Sequence, residues 1–406
     1  MKEGLPAVYS TPEWEAILAS IRIDRSQDDR LRELLKGGLD WSLLRQVALN
    51  QGVMPLLYAR LKALGDDLLP PTEMAQLRDF YLANGKRNLR LAQRLLHVLG
   101  ILSGQGIEAI PFKGPALAVQ AYGNFSLRQS ADLDILIHRT DYRRVHELLV
   151  SLGYSPQHSL TEKEEQWLLQ AGEEMHFSNL DYVVDVHWAF AQRDLAFALE
   201  PEQYWRRLAS CPLNGREVRV LSPEDTILTQ CIEGMTDQWR WLKRITDITY
   251  LIDRHRLLDW PALLAQAEEV GVRRILFIGL YLAEELGGVH FQPHVRALLH
   301  SDSLARKLAT RVQERVCSQA GELGPLHRAV FRLRSRERPR DRMAYIMYQV
   351  FVPKLRDRMT IGLPPLLEPL YYLLLPCRLL LGYTGGFFWA RLRRLKQYSE
   401  GLGLWN

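Results

Sequence analysis

Two aliphatic stretches of this chain carry aspartates where a buried strand should have none: "ADLDILI", with Asp132 and Asp134, and "YVVDVHWAF", with Asp185. An ionised carboxylate is costly away from water unless a partner neutralises it. Successive strand residues face opposite sides, so Asp132 and Asp134 share one face, roughly 6.6 Å apart along the strand, while Leu133 and Ile135 share the other. In the second stretch Val183, Asp185 and His187 share a face, and Val184, Val186 and Trp188 share its reverse. The alternation predicts a sheet with one aliphatic face packed under helices and one face that gathers negative charge.

What surrounds these strands fits that reading. The first hundred residues read as helical: Thr11 is placed as an N-cap with Pro12 at the first helical position. "TEMAQLRDFYLANGKRNLRLAQRLLHVLGILSGQG" reads as one long helix closing near Gly104 or Gly106. Between about 105 and 192 the pattern changes. "GIEAIPFKG" predicts a short strand, "PALAVQAYG" a helix, "LRQSADLDILI" a strand and "TDYRRVHELLVSLGY" a helix. "EMHFSNLDYVVDVHWAF" predicts two strands joined by a turn at Asn179 to Asp181. Helix returns from residue 201, with Ser222, Pro223 and Asp225 forming a start signal. We therefore expect an α+β chain: a small mixed β-sheet core at 105–200, a helical region at 1–104, a helical domain at 201–300, and a basic, apolar helical region at 301–406.

Composition limits the alternatives without choosing among them. The 406 residues are 47% hydrophobic and 24% charged, an ordinary globular balance. A net charge of +5 tolerates anionic ligands without requiring them. Cys211, Cys231, Cys317 and Cys377 form no CxxC pair, and the first residues lack an apolar signal segment. A reducing cytoplasm with free thiols is the expectation, with the inner face of the membrane as a second location.

Two neighbouring carboxylates raise one another's pKa unless a cation sits between them. A hard divalent cation does this, and Mg²⁺ keeps part of its shell for substrate phosphates. A bare Asp-x-Asp is more often a solvated strand end. A third Asp on a neighbouring strand supplies the set a two-metal phosphoryl-transfer site needs. His187 reads equally as a sheet histidine or a site residue, and His176 is similar but less specific. Upstream, Lys113 and Gly114 lie between strand and helix, with Pro115 at the helix start, where backbone N–H groups and the helix dipole favour a phosphate. Arg128 could grip a phosphate bidentately. In "DQWRWLKRITDITYL", Lys243 could meet phosphate and Asp247 a base or ribose, against the plainer reading of an i,i+4 ion pair. Trp239 and Trp241 read as packing residues.

This ordered set resembles the DNA polymerase beta-type nucleotidyltransferase superfamily. "FKGPALAVQAYGNFSLRQSADLDILI" followed by "VVDVHWAF", with "WLKRITDITYLI" downstream, is more closely similar to an uncharacterised bacterial nucleotidyltransferase family. The resemblance implies Mg²⁺-dependent transfer, with Mn²⁺ as a substitute, of a nucleoside monophosphate from an NTP to an acceptor, releasing pyrophosphate. By position it implies that Asp132, Asp134 and Asp185 hold metal, that Asp185 serves as ligand or base, and that Lys113 and Gly114 meet the triphosphate. The superfamily's Ser after Gly is Pro115 here, and seventeen residues separate Gly114 from Asp132, so Lys113 or Arg128 would substitute for that hydroxyl. Neither the base (ATP, CTP, GTP or UTP) nor the acceptor (sugar, small molecule, protein or RNA) is specified. The other readings are an Asp-x-Asp glycosyltransferase and a catalytically degenerate adaptor on RNA or membrane.

Two further segments bear on partners. The run from Arg328 to Arg342 holds seven arginines against Glu337 and Asp341, and reads as a surface for RNA phosphate or anionic lipid, or as a solvated loop. The apolar segment from Leu363 to Lys396 is broken by Pro364, Pro365, Pro369 and Pro376, so no transmembrane span is expected. An interfacial helix flanked by Arg391, Arg393, Arg394 and Lys396 fits, as does packing on the protein itself.

Overall fold

Thr11 accepts a hydrogen bond from the Trp14 amide and starts the first helix, as its position before Pro12 predicts. The computed structural model describes residues 11–352 apart from 173, 192–194, 196, 198–200 and 319–323, together with residue 370. Helices α1 (Pro12–Ile21), α2 (Asp28–Lys36), α3 (Trp41–Asn50), α4 (Met54–Leu64) and the long α5 (Pro71–Gly104) come first. The sheet region holds β1 (Ala109–Pro111), α6 (Gly114–Tyr122), β2 (Leu133–Ile137), α7 (Tyr142–Ser151), β3 (Ser155–Pro156), α8 (Glu162–Ala171), β4 (Met175–Ser178) and β5 (Val183–His187). A short α9 (Pro201–Trp205) and the hairpin β6 (Ala209–Leu213) and β7 (Arg216–Val220) follow. The chain then continues as α10 (Pro223–Thr236), α11 (Leu242–Arg254), α12 (Trp260–Glu269), α13 (Arg273–Glu285), α14 (Pro293–Ser301), α15 (Ser303–Cys317), α16 (Pro325–Arg334) and α17 (Pro339–Phe351).

The main sheet has the order β1-β2-β5-β4-β3, with β2 and β5 parallel and the other neighbours antiparallel. Register sets Asp134 directly beside Asp185, and Asp185 beside His176 on β4. One face carries Leu133, Ile135, Ile137, Val184, Val186, Met175 and Phe177, packed against α5 and α7 through Leu91, Leu95, Val98, Val145 and Leu149. The opposite face carries the aspartates. Helices from before and after the sheet share one core: Trp14, Ile17, Leu57 and Leu61 pack in the same cluster as Ile232, Trp239, Ile248 and Phe277.

The strand expected over "LRQSADLDILI" is shorter than the pattern suggests and begins at Leu133. The cause lies on α5. The amides of Asn84 and Asn88 donate to the carbonyls of Phe125, Ser126 and Arg128, so this backbone is satisfied by a helix rather than by a neighbouring strand. Asp132 therefore sits at the mouth of β2. The edge strand β1 ends at Pro111, beyond which the Phe112 amide still donates to the Asp134 carbonyl at 3.4 Å.

Among the described residues no helix is long and apolar enough to cross a membrane. Cys211, Cys231 and Cys317 are free thiols. The apolar segment expected to lie at an interface, with Arg391, Arg393, Arg394 and Lys396, falls outside the described residues.

The arginine run lies on α16, α17 and the link between them, with Arg334 and Arg340 exposed and several of the others tied to backbone carbonyls. Arg332 donates to the Thr236 carbonyl at the end of α10 at 2.7 Å. Arg338 donates to the carbonyls of Glu268 and Glu269 at the end of α12. Arg342 and Arg274 both donate to the Arg336 carbonyl at 2.9 Å. Glu337 accepts from the amides of Arg273 and Arg274 at the start of α13 at 3.0 and 2.8 Å. Cations thus meet helix C-termini and an anion meets a helix N-terminus, each matching the local dipole. Arg336 is fully buried, donates to the carbonyls of Arg332 and Leu195, and lies over the rings of Phe197 and Tyr345.

Candidate active site

A cleft of about 390 Å³ opens between the polar sheet face and helices α10 and α11. The sheet supplies Asp132, Asp134, Asp185 and His187; the loop before β2 supplies Arg128, Gln129 and Ser130; the helices supply Glu233, Asp237, Lys243 and Arg244. The three aspartates, the outer two 53 positions apart in sequence, meet here because β2 and β5 are parallel neighbours in register.

The aspartates have different electrostatic fates. Asp134 is 5% exposed, with the Lys113 ammonium 3.5 Å from Oδ1 and His187 Nε2 3.3 Å from the same oxygen. His187 Nε2 is close enough for electrostatic attraction without the alignment of a hydrogen bond. Burial pushes the Asp134 carboxyl up, but Lys113 and then His187 outweigh it and hold the group well below the usual carboxylate range. Asp185 Oδ1 contacts His176 Nδ1 at 2.6 Å, and this hydrogen bond raises the His176 pKa. Glu174 closes a chain of acids and imidazoles, 3.0 Å from His187 Nδ1 and 3.6 Å from His176 Nε2. Asp132 has no ion pair or hydrogen bond among the described residues. Its pKa is raised by burial and by the charges of Asp134 and Asp185.

The cations differ as well. Lys113 bridges Asp134 and Glu233, the latter at 2.9 Å, and these two acids raise its pKa against the opposing effect of burial. Arg244 holds Glu233 at 3.1 Å and Asp237 at 2.8 Å. Lys243 lines the cleft and makes no ion pair among the described residues; burial, then the nearby charges of Arg128 and Arg244, lower its pKa. Among the described residues it is the lysine or arginine of the cleft wall that no carboxylate holds by contact.

Three expected contacts are placed otherwise. Arg128, expected to grip phosphate, is buried and bound in bidentate fashion by Asp247 at 2.9 and 3.1 Å, with Ser130 at 3.2 Å. Asp247, expected to face a nucleotide or to pair with Lys243, is fully buried; it accepts from Arg128 and from the Tyr122 hydroxyl at 2.8 Å and is not a wall of the cleft. Gly114 is also not a wall. Its φ is +55°, and a Cβ there would meet the Asp132 carbonyl oxygen at 2.9 Å, so glycine lets the start of α6 pass beneath Asp132.

Sequence reasoning missed Glu233, Asp237, Glu174 and Trp241. Glu233 sits in "QCIEGM", an acid in the apolar stripe of α10, which was the available signal. Trp239 packs in the core as expected, whereas Trp241 lines the cleft with the Arg240 guanidinium 4.5 Å from its ring centre. Gln238 and Trp239 both adopt positive φ, 62° and 56°, in the reversal that turns α11 back against the cleft. The carboxyl of Asp237 accepts from the Trp239 amide at 3.1 Å and stabilises that reversal.

The carboxylates offer oxygen donors of the hard kind that divalent cations take. Among the described residues, however, no group of three or more acid, imidazole or thiol side chains is arranged around a common point. Lys113, His187 and His176 take oxygens that a metal would need.

No curated protein matches the chain. Solved structures that match include a lincomycin-bound lincosamide antibiotic adenylyltransferase, LnuA (16% identity, 39% of this chain and 94% of that one, TM-score 0.28). Another is the antibiotic-resistance factor ANT(2'')-Ia (16%, 53% and 97%, TM-score 0.27). A third is an antigenic nucleotidyltransferase-like protein from Paracoccidioides brasiliensis (15%, 44% and 88%, TM-score 0.28). A family model described as uncharacterised nucleotidyltransferase matches residues 37–288. That match spans more than half of the chain and encloses every residue of the cleft, so the chain belongs to this family of uncharacterised nucleotidyltransferases.

Proposed function

We propose that the protein transfers a nucleoside monophosphate from an NTP to an acceptor hydroxyl or phosphate in a divalent-metal-dependent reaction. The observation that carries this reading is the trio Asp132, Asp134 and Asp185 on one sheet face, with neither Asp132 nor Lys243 in an ion pair among the described residues. Asp132 and Asp134 would hold Mg²⁺ or Mn²⁺, with Asp185 left to act as base. Bound metal would supply charge neutralisation at the triphosphate and at the attacking oxygen.

The chain's own groups account for the remaining work. Lys243 attracts the triphosphate, and Trp241 offers an aromatic wall beside it. Asp185 takes the acceptor's proton on the oxygen that His176 does not occupy, while His176 fixes the orientation of the carboxylate. The acceptor oxygen bonds to the α-phosphorus, the bond from that phosphorus to the bridging oxygen breaks, and pyrophosphate leaves with that electron pair.

The test is incubation of purified protein with Mg²⁺ or Mn²⁺ and each of ATP, CTP, GTP and UTP, α-labelled, with and without a cell extract. Label should move to an acceptor from at least one nucleotide. Absence of both transfer and nucleotide binding under all conditions sinks the reading.

A further inference from the structure

Lys113 stands where the carboxylate cluster most needs a cation. Its ammonium lies 3.5 Å from Asp134 Oδ1, yet its shorter contact, 2.9 Å, is with Glu233 on α10. Glu233 is in turn held by Arg244, and Arg244 by Asp237. The lysine is therefore tethered from the helical side and only leans on the sheet. Its flexible four-carbon stem lets the ammonium swing away from Asp134 while keeping Glu233.

We propose that Lys113 is a resident counter-ion for Asp134 that nucleotide loading displaces, so that divalent metal enters with the triphosphate and not before it. This rests on the nucleotidyltransferase reading and adds an order of binding to it. Without nucleotide the ammonium neutralises Asp134 and repels a second cation. An arriving triphosphate offers Lys113 stronger anionic partners, and Asp134 is released to the metal that the nucleotide brings. Asp132, which makes no ion pair among the described residues, then gains a contacting cation only in the loaded state. An ammonium also keeps the buried Asp134 from being left as an isolated charge between turnovers.

The experiment measures Mn²⁺ binding to the full chain by electron paramagnetic resonance, with no nucleotide present. K113Q should bind Mn²⁺ about tenfold more tightly than the wild type, since a charge repulsion worth at least one such factor is removed. K113R, which keeps the charge, should match the wild type. K243Q, which removes a cleft cation that does not contact Asp134, should change the affinity by less than about threefold. Equal or weaker Mn²⁺ binding by K113Q overturns the inference. So does a K243Q effect as large as that of K113Q, because a general field and not occupancy of Asp134 would explain it. Circular dichroism checks folding, and K113M, with an uncharged stem of similar length, repeats the measurement if K113Q does not fold. If nucleotide binds but K113Q has ordinary Mn²⁺ affinity, only the inference falls. If neither nucleotide nor Mn²⁺ binds any variant, the underlying function falls with it.

Discussion

Two regions of this chain concentrate like charge, and the structure treats them in opposite ways. The aspartates at 132, 134 and 185 converge on a cleft, where one is offset by Lys113 and His187, one is oriented by His176, and one makes no ion pair among the described residues. In the run from Arg328 to Arg342, the side chains of Arg332, Arg336, Arg338 and Arg342 are spent on carbonyl oxygens, largely at helix ends. Guanidinium groups have several donors and find acceptors in any helix C-terminus. Carboxylates on a strand have no such supply of local donors. Uncompensated charge thus accumulates on the sheet and is dispersed among the helices.

The comparison is most sharply tested by neutralising each cluster. Asp132→Asn, Asp134→Asn and Asp185→Asn should each lower transfer about 10²–10³-fold or more, the scale of losing a group that stabilises charge at the reaction centre. Steady-state rates with the preferred nucleotide check this, and a variant retaining full activity removes that aspartate from the site. Substituting Arg332 or Arg338 by Gln should leave those rates within a few-fold, while lowering the melting temperature.

Between the two regions lies the buried Arg128–Asp247 pair, where charge is concentrated and fully matched. Arg128→Met or Asp247→Leu alone should destabilise by about 3–5 kcal/mol, because each strands a buried charge, whereas the double variant should recover most of the loss. Denaturant unfolding of the four proteins reads the coupling. Arg336→Met should cost less, about 2–3 kcal/mol from lost charged hydrogen bonds and ring contacts, and should not weaken nucleotide binding. Loss of nucleotide affinity at unchanged stability would show that the run is a ligand surface after all.

The smallest effect is a pH dependence. Asp132 has a raised pKa in the folded protein, so folding favours its protonated form. Its unfavourable contribution is absent below the ordinary value of 3.8 and complete once pH exceeds the raised folded value. Asp132→Asn should therefore be more stable than the wild type at neutral pH, and should lose that advantage on acidification through this window. Melting temperatures of the two proteins from pH 3 to 7 measure the difference; a constant gap would mean that like-charge repulsion is not its source.

Much of the framework was legible from residue order. Thr11 and Ser222 cap the helices they announce, α5 runs to Gly104, and Asp185 and His187 share a face as their spacing requires. These are local consequences of hydrogen-bond geometry and strand alternation, so a linear reading reaches them. The shortening of β2 was not legible, because Asn84 and Asn88 act on it from a helix some forty residues away. Nor were the partners of Arg128, since a bidentate guanidinium suits a phosphate and a buried carboxylate equally well.

By itself, the sequence determined which residues would sit on the charged face of the sheet, because period-two alternation leaves no freedom once the strand forms. Only the tertiary structure decided which of those charges would be offset. Glu233, Arg244 and Asp237 reach the cleft on helices that follow the sheet, and their placement depends on how α10 and α11 pack against it. Electrostatic partnership depends on distances across the fold, and spacing along the chain carries no information about those.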